Sequence, residues 1–334
     1  MRKALVLVVS LSCVLALSCQ EQMIAAFGSN SGITIVTTPR CEEIAKDLAA
    51  SLEREIVTVQ YERAYDVTLV TTGDVKNHDS RKNIVVIDFL EPENSLSRTI
   101  LDLAGQARED VRAGKTAIFH REDRWAMGQV VVGIAAPTKA ALGEVIAARS
   151  EEIFKYIERV VQARLNRALF NAGEQELITE RLAATYGWTL RLPPRYEVDE
   201  KYATERVIKI LQDKPARMIT VYWEDGDWGE PEATCLERKK MLAWKYWDED
   251  EIVEDALEIS RATFGGVPAV HLTGTWENKK YVIGGSFTSY CFTCPDCGRN
   301  YFIDAAVFAP GFDKLPLMRE LEAILVTFRC SCGG

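Results

Sequence analysis

The chain has 334 residues, with 40 Lys and Arg against 49 Asp and Glu, a formal net charge of −9. An acidic balance of this size argues against nucleic acid as a partner and against electrostatic docking of the whole body on anionic lipid. Roughly 300 residues bury enough surface for one large or two modest domains that need no covalent link to fold.

Residues 1–18 open with Arg2 and Lys3, continue as the uncharged apolar run Ala4 to Leu17, and end at Ser18 directly before Cys19. Charge, about 14 apolar residues and a small residue make a secretory signal peptide, too short to span a bilayer core of about 30 Å. A cysteine at the cleavage point resembles a bacterial lipobox, in which the thiol is diacylated (palmitate being a typical chain) and becomes the mature N-terminus. Ala16 stands where that pattern prefers Leu, and Gln20 in place of Asp permits transfer to the outer membrane. Cleavage leaves 38 basic against 49 acidic residues, and the lipid is then the only membrane anchor. Residues 19–32 read as a lipidated tether ending in a Gly/Ser/Asn loop.

The body reads as an N-terminal α+β half, residues 33–172, and a C-terminal half, residues 173–334. In the first, strands are expected at Ile33 to Thr37, Ile56 to Tyr61, Asp66 to Thr71 and Asn83 to Phe89, the last a continuous apolar run typical of a central strand. A helix from Pro39 to Leu52 has Glu42 and Glu43 in its first turn, where the helix dipole favours acids. Trp125 opens a strand ended by Pro137, and Thr138 caps a one-faced helix reaching Phe170, long enough to bend or to join the halves.

In the second half a helix from Glu176 to Tyr186 stops at Gly187. Then come a strand at Trp188 to Leu192, a helix at Glu200 to Gln212, a strand at Arg217 to Trp223 and a helix from Thr234 to Trp247. Val270 to Thr275, Lys280 to Thr288 and Tyr301 to Phe308 form an antiparallel meander, and a helix from Leu315 to Phe328 closes the chain. Each half ends in a strand, an Ala-Pro pair (Ala136-Pro137, Ala309-Pro310) and a helix. Two readings account for this: a diverged duplication giving two related halves, or convergent α+β grammar. The fold class is α+β, with mixed, mostly antiparallel sheets packed against long amphipathic helices.

Nine cysteines occur, five of them near the C-terminus. Cys294-Pro295-Asp296-Cys297-Gly298 is a knuckle whose turn amides stabilise thiolates; Cys330 and Cys332 form a second arm one residue short of a CxxC. A strand of about 26 Å leaving the knuckle and a helix of about 21 Å returning bring the arms together. Four sulfurs suit a structural Zn²⁺; in an oxidising compartment the same four suit cross-arm disulfides. Cys291 is an extra thiol beside them, and an exposed thiolate there would make a redox accessory. Cys41 and Cys235 sit at helix starts and read as small core residues.

Catalytic grammar is otherwise thin. Gly114-Lys115-Thr116 lacks the first glycine of a phosphate loop, Glu109 standing there. Only three histidines occur, His78 in a polar loop, His120 before a charged turn and His271 in a strand, so a His-based relay or zinc enzyme has little to draw on. The acidic loop from Glu224 to Glu232 lacks EF-hand spacing, and Trp244 and Trp247 read as core. Gly284-Gly285 marks a bulge or a close approach to the sheet.

Several stretches resemble a family of bacterial envelope lipoproteins known as domain of unknown function 4837. They are Arg81 to Val85, Trp125 to Gln129, Tyr186-Gly187-Trp188 before Leu192-Pro193, Ile283 to Tyr290, and Phe308-Ala309-Pro310 followed by Arg319 to Leu325. Together they run over nearly the whole mature chain. Ile283 and Ser286 depart from the family's Met-Gly-Gly-Pro-Phe, and the C-terminal cysteines look like an addition of this chain. The resemblance implies an α+β envelope lipoprotein and supplies no activity. The leading expectation is a non-enzymatic binding or assembly component of the cell envelope, on the periplasmic face of the outer membrane, with an unidentified protein or glycan partner. The alternatives are an envelope-polymer enzyme using paired carboxylates and a thiol-redox accessory.

Overall fold

A computed structural model describes residues 23–226 and 228–331. The signal peptide, Cys19 and Cys332 lie outside the described residues. The N-terminal half contains β1 (Gly32–Val36), α1 (Glu42–Leu52), the hairpin β2 (Glu55–Val57) and β3 (Tyr61–Arg63), β4 (Asp66–Val70) and β5 (Asn83–Phe89). It continues through α2 (Ser95–Ala104), α3 (Arg108–Arg112), β6 (Ile118–Glu122), β7 (Val130–Ala136) and α4 (Lys139–Asn171). The sheet order is β4-β1-β5-β7-β6. Its first four strands are parallel and only β6 runs antiparallel. Every residue of β5 and β7 is buried, as a parallel sheet covered on both faces requires. Leu48, Ile146 and Ile157 cover one face, and Leu96, Ile100 and Val111 the other. Gly133 in β7 is fixed by packing, since a Cβ there would lie 2.3 Å from the Phe119 ring.

The C-terminal half holds α5 (Glu176–Tyr186), β8 (Trp188–Thr189), β9 (Glu197–Asp199), β10 (Val207–Gln212), β11 (Ala216–Glu224), α6 (Pro231–Tyr246) and β12 (Glu251–Ile252). After these come β13 (Glu258–Phe264), β14 (Val267–Asn278), β15 (Ile283–Thr293), β16 (Asn300–Phe308), α7 (Leu315–Leu325) and β17 (Arg329–Cys330). Its main sheet is antiparallel, ordered β12-β14-β15-β16-β11-β10-β9 with β13 beside β14. The face bearing Ile219, Ile303 and Val307 packs with Leu321 and Leu325 of α7, while Phe287, Phe302 and Leu272 pack with Leu242 and Tyr246 of α6.

The chain is α+β, but its halves are built differently, one sheet mainly parallel and the other antiparallel. Their shared strand, Ala-Pro and helix grammar therefore does not extend to a shared topology. The helix expected at Glu200 to Gln212 is instead a short turn followed by β10. Val207, Ile208 and Ile210 carry β-branched side chains there, and pairing with β9 and β11 outweighs the helical spacing. The strand expected from Trp125 starts at Val130, because residues 123–129 close a turn: Gly128 N–H donates to Asp123 Oδ1 at 2.6 Å and Trp125 N–H to Gln129 Oε1 at 3.2 Å. The expected tether is docked from Ile24 onward. Ala25 and Phe27 bridge Met127 and Arg81, and the Arg81 guanidinium lies 4.5 Å from the Phe27 ring centre.

The junction of the halves runs along α4, which kinks at Arg149. Beyond the kink, Glu158 accepts from Arg319 Nε and Nη2 at 2.9 and 2.8 Å and from the Tyr65 hydroxyl at 2.7 Å. Glu62 of the N-terminal hairpin accepts the Lys314 and Leu315 N–H groups, each at 2.8 Å, satisfying amides at the start of α7.

Candidate functional site

The two cysteine arms do meet. The knuckle is closed by Cys294 N–H donating to Arg299 O at 2.8 Å and Gly298 N–H to Cys294 O at 2.9 Å. Cys330 arrives on β17, held in register opposite Trp188 of β8. Its thiol is hydrogen-bonded to Cys294 and is pushed up to about 12, by burial first and by Cys294 next. Cys297 is disulfide-bonded. Among the described residues no group of three or more His, Cys, Asp or Glu side chains could hold a metal ion. With Cys297 oxidised, the described residues supply two thiols, Cys294 and Cys330, to the expected zinc site.

Two further cysteine expectations change. Cys291 is not a spare thiol and Cys235 is not a lone core residue, because the two form a disulfide joining β15 to α6. Nothing local in the sequence pairs them, since 56 positions separate them. Cys41 is buried and its thiol is pushed up to about 11, chiefly by burial. Both raised thiols are opposite to what redox reactivity needs.

The C-terminal sheet carries a polar network on each face. Toward α7, His271 Nε2 lies 2.8 Å from Thr288 Oγ1, which donates to Glu322 Oε1 at 2.7 Å, and the Tyr290 hydroxyl donates to Glu322 Oε2 at 3.1 Å. With the threonine proton directed at Glu322, His271 Nε2 is the donor to Thr288 Oγ1. His271 and Tyr290 are a cross-strand pair with stacked rings 4.4 Å apart. Burial lowers His271 to about 4 and raises Glu322. Toward α6, the buried Lys239 ammonium meets Asp304 Oδ1 at 2.7 Å, and Ser289 Oγ donates to the same oxygen at 2.6 Å. Both networks are satisfied internally and hold the sheet to its helices.

A protonation experiment tests the His271 assignment. Because its folded pKa lies below the unfolded value, the folded state takes up fewer protons, so its contribution to stability is complete above about pH 6.5 and falls as the pH drops toward 4. In histidine-resolved NMR the His271 ring should stay neutral to near pH 4. A midpoint near 6.5 would mean that the ring is solvated and the network open.

Other signals resolve as structure. Glu224 of the acidic loop accepts from Tyr222, Trp228 and Arg238, and Asp225 pairs with Arg206 at 3.0 Å. Trp247 packs as expected and donates to Thr220 Oγ1 at 3.0 Å. Trp244 is half exposed and is not core. Gly285 lies under Trp276, where a Cβ would sit 1.8 Å from Val307 O and 2.7 Å from the indole nitrogen, so the glycine pair serves packing.

A strongly basic concave surface lies at the junction of the halves. It is a groove of about 660 Å³ lined by Arg159 and Arg167 of α4, Arg191 beyond β8 and Arg329 of β17, with no acidic residue in its lining. Gln162 Nε2 donates to Arg319 O at 2.7 Å and Asn166 Nδ2 to Ala323 O at 2.6 Å, fixing α4 against α7 along one side. Sequence reading passed over these arginines because three separate segments supply them.

Residues 246–327 match the family model described as Domain of unknown function (DUF4837), and residues 26–170 match a second, Domain of unknown function (DUF8532). The motifs at Arg81 and Trp125 therefore fall within the second family's match rather than the first. No curated protein matches the chain. Among solved structures, the Ran-binding protein Mog1p of Saccharomyces cerevisiae is 10% identical, with 44% of this chain and 93% of that chain covered and a TM-score of 0.31. LpqN of Mycobacterium tuberculosis, involved in cell envelope biogenesis, is 16% identical, with 42% and 81% covered and a TM-score of 0.28. A structure from Bacteroides thetaiotaomicron is 10% identical, with 43% and 45% covered and a TM-score of 0.28.

Proposed function

We propose, for a chain whose residues 246–327 match the family model described as Domain of unknown function (DUF4837), a lipid-anchored, non-enzymatic binding component of the cell envelope. The observation that carries this reading is the N-terminal order of Arg2-Lys3, an apolar run and Ser18-Cys19. The Cys235–Cys291 disulfide and the oxidised Cys297 are consistent with export, since such bonds persist in oxidising compartments. Among the described residues no helix is long and apolar enough to cross a membrane; in this reading acyl chains on Cys19 hold the protein there. Two or more chains give stable anchoring, each buried methylene adding about 0.8 kcal/mol. In this reading the oxidised Cys297 clamps the terminus, with Cys294 and Cys330 beside it as hydrogen-bonded thiols, instead of the cluster binding zinc.

Intact-mass and peptide mass spectrometry on the full chain purified in detergent, alkylated before and after reduction, tests both parts. Cys19 should be the first residue and carry a diacylglyceryl group, and Cys235, Cys291 and Cys297 should label only after reduction. A chain beginning elsewhere, or an unmodified Cys19, would overturn the anchor. Labelling of Cys297 before reduction would overturn the clamp.

A further inference from the structure

Four arginines line one groove of a protein whose net charge is −9. Two of them are matched by carboxylates. Arg167 pairs with Glu122, and Arg191 directs Nε and Nη2 at both oxygens of Glu174, at 2.7 to 3.0 Å. The other two have no carboxylate within ion-pair distance among the described residues. Arg159 lies over the Tyr156 ring at 5.2 Å. Arg329 uses Nη1 on the Val326 and Phe328 carbonyls at 2.9 and 2.6 Å, and its Nη2 makes no hydrogen bond among the described residues. Arg164, also on α4, is 5% exposed; it directs Nη1 at Gly128 O at 3.4 Å, and its Nε and Nη2 have no hydrogen-bond partner among the described residues. Cations that lack a counter-charge favour the approach of an anion.

The chemistry of the lining narrows what that anion is. All four cations are arginines, whose planar forks present paired donors to tetrahedral or planar oxyanions, whereas lysine presents a point charge. A volume of about 660 Å³ accommodates a small organic molecule rather than a lone ion. Phosphate, with up to two charges and three or four acceptor oxygens, can engage two forks at once and leave the existing Glu122 and Glu174 pairs intact.

We propose that the junction groove is a binding site for a phosphate-bearing ligand, held mainly by Arg159 and Arg329. The site has both halves in it, α4 from one and the segments around Arg191 and Arg329 from the other, so an occupant would also lock the junction. The inference is independent of the lipid anchor, and its test does not require one.

The full chain in detergent would be titrated calorimetrically with pyrophosphate and, separately, with short-chain phosphatidylglycerol against phosphatidylcholine. The same titrations would be run on Arg159→Gln, Arg329→Gln and, as a control distant from the groove, Arg206→Gln. Saturable binding should weaken at least about tenfold for each groove variant, since a hydrogen bond to a charged group is worth that much, and should be unchanged in the control. Binding of pyrophosphate with this pattern supports a soluble phosphate ester. The same pattern with phosphatidylglycerol alone supports the phosphate of a lipid headgroup. Circular dichroism confirms that the variants fold. Binding of neither probe, or equal binding by groove and control variants, overturns the proposal.

Discussion

Lys239→Met should lower the unfolding free energy of the C-terminal half by about 3–5 kcal/mol, the usual cost of removing one partner from a buried ion pair. The Lys239 side chain is 4% exposed and that of Asp304 9%, so little water reaches either. The ammonium also lies 4.0 Å from the centre of the Phe287 ring, where aromatic and carboxylate together replace its hydration. Without it, Asp304 retains, among the described residues, the Ser289 hydroxyl at 2.6 Å as its side-chain donor and has to be protonated or wetted, loosening α6 from the sheet. Lys240→Met, one residue on, removes an exposed pair with Glu254 and should cost no more than about 1 kcal/mol. Replacing Lys239 and Asp304 together by apolar residues should recover much of the loss, because no charge is left buried alone. Urea unfolding followed by tryptophan fluorescence reads the right region, since six of the seven tryptophans lie beyond residue 172. Equal losses for the Lys239 and Lys240 variants would mean that water already reaches the pair.

The elements that were legible in the sequence are those whose pattern arises from their own residues. Asn83–Phe89 is a central strand because NIVVIDF is buried on both faces. Glu176–Tyr186 ends where Gly187 adopts φ 76°, a conformation glycine takes without Cβ strain. What failed depended on partners. The segment between Phe89 and Trp125, which sequence reading left without an element, holds α2, α3 and β6. The start of α2 is marked by a reciprocal Asn94–Ser97 capping box rather than the usual Ser/Thr with Glu. β10 reads as helix in isolation and becomes a strand only because β9 and β11 flank it.

The site residues divide in the same way. The convergence of Cys294 and Cys330 followed from counting strand and helix rise along one continuous segment. The Ser289–Asp304 and His271–Tyr290 pairs depend on sheet register, which a single strand does not encode. The arginine groove depends on how two separately built halves dock, and periodicity within either half does not report that.

Replacing Cys235 and Cys291 together by alanine should cost about 4 kcal/mol at 25 °C, the chain-entropy value for a loop of this length. The bond spans 56 positions and closes a loop containing most of α6, the exposed β13 and the whole of β14. In the reduced unfolded chain that loop gains its full freedom, whereas the folded chain loses little, because both cysteines are buried among Val270, Leu272 and Phe302. The effect should therefore appear in the unfolding midpoint rather than in the folded structure, and circular dichroism of the double variant should match that of the parent. Adding reductant to the folded protein is a poorer test, since Cys235 is 0% and Cys291 3% exposed and the bond is reached only when α6 lifts from the sheet. Cys41→Ala, which removes a buried thiol that closes no loop, gives the baseline for losing a sulfur atom from the core, expected at about 1 kcal/mol. A double variant no less stable than Cys41→Ala would mean that the two sulfurs pack without bonding. A loss near 4 kcal/mol, absent when the parent is unfolded and measured under reducing conditions throughout, would establish that a covalent link holds α6 over the face carrying Lys239 and Asp304.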